Sequence, residues 1–218
     1  MADVQRGTQR VRQAMNHDRR RLILVRHGET VGESSIRYFG VTDVPLSDTG
    51  CRQMEQVRAA LQDECFEAVY TSRLQRTIAA AGIIAPRLHP QPLEGFNEVN
   101  FGDWEGLTRE EIAARDPARY RQWRAAPHEF TYPGGDAVRA FRGRVVETLR
   151  ALLPVLPACA LVVAHKGVIA SVLAELLGLS AAERAAWPID LASVHTLEGA
   201  DGTWCAVNDG RHPRTAAE

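Results

Sequence analysis

Three short apolar runs divide the chain, at residues 22–25, 68–71 and 160–164. Each run is too short for a helix and lacks the alternating polar positions of a half-exposed strand. Runs of this kind are typical of strands that are buried on both faces of a parallel sheet. The pattern therefore predicts a sheet core that is built from these three segments.

Helical segments follow the apolar runs and are marked by capping residues. We predict helices over residues 47–62, 72–84, 136–153 and 167–177, with Ser47, Ser72 and Asp136 at the first three starts and Pro154 and Gly178 after the last two ends. Residues 193–198 and 203–207 read as two strands joined by a turn. This order predicts an α/β fold with a largely parallel sheet, covered on both faces, and an antiparallel edge.

The length of the chain, 218 residues, suits one compact domain. We expect this domain over residues 21–210, after a mobile basic arm at residues 1–20 and before a short tail at residues 211–218. Residues 102–135 interrupt the alternation of strands and helices and are rich in Trp, Tyr, Arg and Pro. We expect them to form a lid or a specificity insertion.

The charge balance excludes several classes of partner. The 26 Lys and Arg residues offset 27 Asp and Glu residues, so we expect neither a nucleic-acid surface nor a membrane surface. No apolar run approaches the ~20 residues that cross a bilayer, and the amino terminus lacks the apolar core of a secretory signal. A cytoplasmic location is expected, and self-association as a homodimer stays open.

Cofactor motifs are missing from the sequence. The four cysteines, Cys51, Cys65, Cys159 and Cys205, are scattered without the spacing of a zinc site or a disulfide scaffold, and we expect reduced thiols. There is neither a Walker-type phosphate loop nor a dinucleotide glycine fingerprint. We therefore expect no nucleotide cofactor.

Cationic and imidazole groups follow each of the three predicted strands. They are Arg26 with His27, Arg73 with Arg76, and His165 with Lys166. Open parallel sheets bind ligands beyond the carboxyl ends of their strands, so these groups are expected to converge. Arginine forks and free amides at helix starts suit a phosphate group. Arg76 and Lys166 lie in the first turns of predicted helices, where the positive end of the helix dipole disfavours a cation. Helix stability alone therefore does not explain these two residues.

The chemistry of a phosphate site needs a nucleophile and a proton donor. His27 is the candidate nucleophile, because a neutral imidazole can attack phosphorus when its other nitrogen is held by a hydrogen bond, and Gly28 would allow a ligand to approach closely. The proton donor should be a carboxylic acid near the leaving oxygen. Glu98, Asp103 and Glu105 are candidates, and periodicity does not choose among them.

The motifs of the chain resemble those of the histidine phosphatase superfamily, which is also called the phosphoglycerate mutase-like superfamily. The matching blocks are residues 24–30 (Leu-Val-Arg-His-Gly-Glu-Thr), 42–47 with Gly50, 72–77, 98–106, 133–135 and 163–169. They occur in the order found in the family, and the likeness extends from about Leu22 to Val207.

The resemblance implies an α/β/α sandwich and a set of roles for the site. By this likeness His27 becomes phosphorylated, Glu98 is the proton donor, and Arg26, Arg76 and His165 bind the phosphoryl oxygens. It also implies that no metal is required.

The chain departs from the family at three positions. Glu33 stands where many members carry Asn, so either Ser34 replaces a phosphate contact or Glu33 meets a cationic part of the substrate. Lys166 stands where relatives have Gly, and it either adds charge for a second phosphate or carboxylate or points to solvent. Ala170 stands where relatives often carry Arg.

The segment at residues 101–106 and the short run to residues 133–135 resemble the phosphatase branch. We therefore expect a phosphomonoester hydrolase acting on a small phosphorylated metabolite, such as a sugar phosphate, a phosphoglycerate-like acid or a ribazole phosphate. The alternatives are phosphoglycerate mutase-type phosphoryl transfer and a phosphate-binding module without turnover. Specificity is assigned to Arg37, Tyr38, Lys166 and the insertion, where Tyr120, Trp123 and Arg124 either share a binding face or only pack on the core.

Overall fold

A six-stranded sheet forms the centre of the protein. The structure is a computed structural model and describes residues 19–208. The strands are β1 (Arg20–Arg26), β2 (Ala68–Thr71), β3 (Gln91–Pro92), β4 (Cys159–Ala164), β5 (Val194–Ala200) and β6 (Thr203–Ala206), in the order β3-β2-β4-β1-β5-β6. Strands β1 to β4 are parallel, whereas β5 runs antiparallel to both of its neighbours, β1 and β6. The predicted sheet with an antiparallel edge is confirmed.

Helices cover both faces of this sheet. They are α1 (Asp48–Ala60), α2 (Gln75–Ile84), α3 (Arg109–Arg115), α4 (Pro117–Ala125), α5 (Val138–Leu152), α6 (Lys166–Leu177) and α7 (Ala181–Ala186). Three short 3-10 helices are also present within residues 19–208, at Glu94–Phe96, Gly102–Trp104 and Leu153–Val155. Residues 1–18 and the predicted tail lie outside the described residues, and Arg20, which was assigned to the arm, begins β1 instead.

The alternation of side chains along β1 produces two separate cores. Leu22 and Leu24 pack with the buried residues of α5 and α6 on one face. Ile23 and Val25 pack with those of α1 and α2 on the other. Successive residues of a strand point to opposite faces, so a strand between two helical layers must be apolar at every position. The three-layer α/β/α sandwich is confirmed.

Two of the predicted helix starts are wrong and one is confirmed. Ser47 caps α1, because its side chain accepts from the amide of Gly50. Helix α2 begins at Gln75, after the N-cap residue Leu74, and no side chain caps it. The hydroxyl of Ser72, the expected cap, contacts His165 instead.

At the start of α5 the expected cap, Asp136, is likewise used elsewhere. Its carboxylate accepts from the amide of Asn100 and lies 3.6 Å from Arg144, and the helix begins at Val138. The end of α6 agrees with prediction, since Gly178 adopts a left-handed conformation there with φ of 65°.

The segment at residues 102–135 is bound to the core by aromatic side chains. The buried ring of Trp104 stacks on Phe130 at 5.1 Å and lies 5.4 Å from Tyr132 and 5.9 Å from Trp123. Tyr120 and Trp123 are half-buried and pack against the same cluster, so their stripe serves packing. Arg124 is exposed. Edge-to-face aromatic pairs of this kind contribute about 0.5–1.5 kcal/mol each beyond the area that they bury.

Candidate active site

Three neighbouring strands end side by side at one edge of the sheet. Arg26 at the end of β1 pairs in register with Ala164 of β4, and Thr71 at the end of β2 pairs with Val163. The residues that follow these strands therefore share one small region. This is the convergence of strand ends that the sequence predicts.

His27 is nearly buried at this edge and is held in one tautomer. Its Nδ1 lies 2.7 Å from the carbonyl oxygen of Gly28. Because a carbonyl can only accept, Nδ1 carries the proton and Nε2 keeps its lone pair. Burial lowers the pKa of His27 well below its usual value, and the charges of Arg76 and Arg26 lower it further. The ring is thus a neutral base with a free nitrogen.

Three unpaired nitrogens belong to the side chains around His27. Within residues 19–208, Nε of Arg26, Nε of Arg76 and Nδ1 of His165 are buried and have no hydrogen-bond partner. The ring centroid of His165 lies 5.2 Å from that of His27. A buried polar group without a partner costs about 1–3 kcal/mol. Unpaired nitrogens on two guanidinium groups and an imidazole are typical of a site that binds an anion.

The guanidinium of Arg76 is completely buried and is held by backbone carbonyls. It donates to the carbonyl oxygens of Thr42 at 2.9 Å, Gly40 at 2.6 Å and Phe39 at 3.4 Å. The side chain of Arg26 donates to the carbonyl of Ile189 at 2.9 Å. Both charges are therefore fixed in place before any ligand binds, which limits the reorganisation that binding requires.

Glu98 is buried beside these cations. Its two carboxylate oxygens accept from the backbone amides of Val99 at 3.0 Å and Gly167 at 2.9 Å. Burial raises the pKa of Glu98, although both amides and the two arginine charges oppose that shift. A side chain at Gly167 would lie 2.5 Å from the carboxylate, so glycine there allows Glu98 to keep this position. A buried carboxyl group with a raised pKa is suited to donate a proton.

The other two acid candidates lie elsewhere. Asp103 is exposed in the 3-10 turn and does not line the cleft. Glu105 accepts from the backbone amides of Gly40, Val41, Thr42 and Phe101. Glu105 therefore holds the amides of the same loop whose carbonyls bind Arg76. Among the three candidates, the geometry favours Glu98 as the acid.

An open cleft of about 430 Å³ leads from solvent to His27. It is lined by Arg26, His27, Ser34, Ser35, Ile36, Arg37, Tyr38, Phe39, Glu98, Arg109, Glu110 and Lys166. The sequence missed Arg109 and Glu110, which reach the cleft because the 102–135 segment packs beside it. The capping box Thr108-x-x-Glu111 is a sequence signal for the start of α3. It does not indicate where this helix lies relative to the cleft.

Several predicted contacts have other partners in the structure. Arg37 donates to Glu111 at 2.8 Å and lies 3.6 Å from Glu33, so Glu33 is paired within the protein. The hydroxyl of Ser34 accepts from the amide of Thr30 at 2.9 Å, and its own proton is left to donate. The hydroxyl of Tyr38 accepts from Arg109 at 3.2 Å.

Arg73 and Arg124 lie outside the cleft, and Gly28 has a structural role beside the predicted one. Arg73 pairs with Glu94 at 2.8 Å on the surface and does not join the strand-end cluster. A side chain at Gly28 would approach the backbone of Gly50 to 2.5 Å, so packing also requires glycine there, and its predicted contact with a ligand stays a prediction. Arg124 does not line the cleft.

The described part of the chain has neither a metal-binding cluster nor a membrane-spanning helix. No group of three His, Cys, Asp or Glu side chains in residues 19–208 has the arrangement of a metal site. None of the helices in that range is long and apolar enough to cross a membrane. The four cysteines, all within that range, are free.

The fold and the histidine-arginine cluster together define a phosphoryl-transfer protein of the α/β/α type. A sequence profile of the histidine phosphatase superfamily (branch 1) matches residues 22–209. The chain belongs to this superfamily, and it is a phosphatase.

Relatives of known name agree with this assignment. The adenosylcobalamin/alpha-ribazole phosphatase of Salmonella typhimurium is 32% identical over 86% of this chain and 90% of its own length. Phosphoserine phosphatase 1 of Hydrogenobacter thermophilus is 32% identical, but the match spans only 57% of this chain and 60% of that protein. The crystal structure of a putative alpha-ribazole-5'-P phosphatase from Escherichia coli superposes with a TM-score of 0.82, at 25% identity, over 91% of this chain and 99% of that one.

Proposed function

We propose that this phosphatase hydrolyses phosphomonoesters of small metabolites through a phosphohistidine at His27. The observation that carries the proposal is the trio of unpaired buried nitrogens on Arg26, Arg76 and His165 around a histidine with a free Nε2. A phosphoryl group supplies the acceptor oxygens that these nitrogens lack. The relatives described above support a phosphorylated small molecule as the substrate.

In the first half of the reaction, Nε2 of His27 attacks phosphorus and the ester P–O bond breaks. The carboxyl group of Glu98 gives its proton to the departing oxygen, so that an alcohol leaves. Charge spreads over the three equatorial oxygens in the transition state, and Arg26, Arg76 and His165 stabilise it. Nδ1 keeps its proton and donates it to the carbonyl oxygen of Gly28, which stabilises the positive charge on the ring.

In the second half, water enters at the position that the alcohol has left. The carboxylate of Glu98 takes a proton from this water as its oxygen attacks phosphorus and the P–Nε2 bond breaks. Inorganic phosphate forms, and His27 and protonated Glu98 are restored. A mutase would instead keep the phosphoryl group for a second alcohol. We propose hydrolysis because the cleft opens directly to solvent.

The part of the substrate beyond the transferred phosphate, here called the substrate tail, is expected to carry a second negative charge. Arg109 and Lys166 line the cleft, and neither forms an ion pair within residues 19–208, whereas Arg37 is fully paired. Lys166 is exposed at the mouth of the cleft, yet desolvation of its inner part and the charges of Arg26 and Arg109 lower its pKa, while the carboxylates of Asp190 and Glu98 oppose that shift. A carboxylate or second phosphate between Arg109 and Lys166 would relieve this repulsion.

A panel of phosphomonoesters with matched tails tests both the reaction and the tail. The enzyme should release inorganic phosphate from each, with a lower KM for 3-phosphoglycerate than for glycerol 3-phosphate, which lacks the carboxylate. Lys166→Ala and Arg109→Ala should each raise KM for the anionic substrate about 10-fold, the equivalent of one charge-assisted hydrogen bond, and leave kcat nearly unchanged.

Arg124→Ala is the matched control, because Arg124 is an exposed arginine of the same segment outside the cleft. Phosphate that appears only as a transferred ester, with no release to water, would contradict hydrolysis. Equal changes of KM on both substrates would contradict the proposed tail.

We also propose that no metal ion takes part, because the arginines and histidines provide the positive charge that a metal would supply. Turnover should be the same before and after treatment with EDTA, measured as phosphate release at fixed ionic strength. Activity that disappears with the chelator and returns with one divalent ion would contradict this. The cytoplasmic location stays a prediction of the sequence.

A further inference from the structure

Ser72 is completely buried between the end of β2 and the ring of His165. Its hydroxyl oxygen lies 2.8 Å from Nε2 of His165 and 2.8 Å from the hydroxyl of Thr77, and it accepts from the amide of Leu74 at 3.1 Å. Nothing in the roles assigned above uses this serine. Its contact with His165, whose other ring nitrogen has no hydrogen-bond partner, suggests one.

The protons around Ser72 can be assigned by elimination. The amide of Leu74 can only donate, so the oxygen of Ser72 accepts from it. The hydroxyl of Thr77 has its own acceptor, the carbonyl of Leu74, at 2.9 Å. The proton of Ser72 is then left with two possible acceptors at equal distance, which are the oxygen of Thr77 and Nε2 of His165.

The other nitrogen of His165 decides between these two acceptors. Burial lowers the pKa of His165 well below its usual value, and the charges of Arg76 and Arg26 act in the same direction, so the ring holds one proton when the site is empty. Nδ1 is buried without a partner. Phosphoryl oxygens only accept hydrogen bonds, so Nδ1 can bind one of them only when it carries that proton.

We propose that Ser72 is a positioning residue that donates its proton to Nε2 of His165 and thereby holds the ring as the Nδ1–H tautomer. His165 then presents a hydrogen-bond donor to the transferred phosphoryl group. This inference rests on the proposed function of the site. If the phosphoryl charge draws a second proton from solvent onto the ring, Ser72 can turn its own proton to Thr77 and accept from Nε2.

The tautomer can be measured directly in the unaltered protein. Long-range ¹H–¹⁵N NMR of the histidine rings, with His165→Gln used to assign the signals, should show Nδ1 of His165 protonated and Nε2 unprotonated. A proton on Nε2 in the neutral ring would overturn the proposal. The measurement needs no turnover, so its failure would leave the hydrolysis proposal standing, and a failure of hydrolysis would not alter the tautomer.

Ser72→Ala tests the consequence. We expect kcat to fall about 10- to 100-fold, as for other residues that orient a functional histidine, with little change in KM, and His165 should shift to the Nε2–H tautomer. Thr71→Val is the matched control, because it removes a buried hydroxyl without a hydrogen-bond partner from the preceding position.

Two results would overturn the role of Ser72. One is a folded Ser72→Ala protein with unchanged kcat. The other is a loss of kcat while His165 keeps the Nδ1–H tautomer, since the serine would then act by some other route. If Ser72→Ala does not fold, the tautomer in the unaltered protein still decides.

Discussion

His27→Ala should lower kcat for any phosphomonoester by about 10⁴-fold or more, because it removes the nitrogen that is proposed to attack phosphorus and carry the phosphoryl group. The cations that bind the phosphoryl group would remain, so product phosphate should still bind. Quenching the unaltered enzyme in base during turnover should trap a phosphorylated histidine, which the variant cannot form. The measurements are phosphate release and mass spectrometry of the quenched protein.

His89→Ala is the control for this change, since His89 is an exposed histidine away from the cleft. It should leave both kcat and the trapped intermediate unaltered. Thermal unfolding must show that His27→Ala is folded, because the substitution leaves a small cavity and a carbonyl of Gly28 without its donor. A folded His27→Ala protein that retains near-normal turnover, or a phosphoryl group trapped on another residue, would contradict the mechanism.

The ends of the strands could be predicted from the sequence because a fully apolar run is followed directly by a polar residue at each of them. Runs such as residues 22–25 are apolar at every position only when both faces are covered, and the polar residue that follows lies at the sheet edge. His27 and His165 were located in this way, and the resemblance assigned their roles. Periodicity did not distinguish the candidate proton donors Glu98 and Glu105. They differ in which backbone amides their carboxylates contact, and no local sequence pattern encodes these contacts.

The residues that sequence analysis misplaced have partners far away along the chain. Ser72 has the sequence context of a helix cap, yet its hydroxyl is used by His165, 93 residues later. Arg37 resembles a free substrate-binding cation, yet Glu111 pairs with it across 74 residues. Arg109 reaches the cleft only because the aromatic cluster around Trp104 fixes its segment. Such pairings depend on tertiary packing and leave no periodic signal.

Glu98→Gln should lower kcat/KM for alkyl phosphates by about 10²- to 10⁴-fold and affect aryl phosphates such as p-nitrophenyl phosphate far less. An alkoxide is a poor leaving group and needs a proton as the P–O bond breaks, whereas a phenolate does not. The comparison must use kcat/KM, which reports only the steps up to loss of the alcohol. Hydrolysis of the phosphohistidine also needs Glu98 and is common to both substrates, so kcat would fall for each.

That second dependence supplies a sharper observation. With p-nitrophenyl phosphate, Glu98→Gln should release a burst of phenolate equal to the enzyme concentration, followed by slow turnover, because the phosphoenzyme forms and then accumulates. In the unaltered enzyme, kcat/KM for alkyl phosphates should fall as pH rises through the raised pKa of Glu98, since the acid must be protonated, and the variant should lose this decline.

The controls follow from the contacts of the carboxylate. Glutamine can accept from only one of the two amides that Glu98 binds, those of Val99 and Gly167, so unfolding of the variant must be compared with the unaltered protein. Asp103→Asn changes an exposed acid of the neighbouring turn and should leave the kcat/KM of both substrate types unchanged. If Glu98→Gln lowers kcat/KM equally for alkyl and aryl substrates, or if Asp103→Asn produces the dependence on leaving group, then the proton comes from a group other than Glu98.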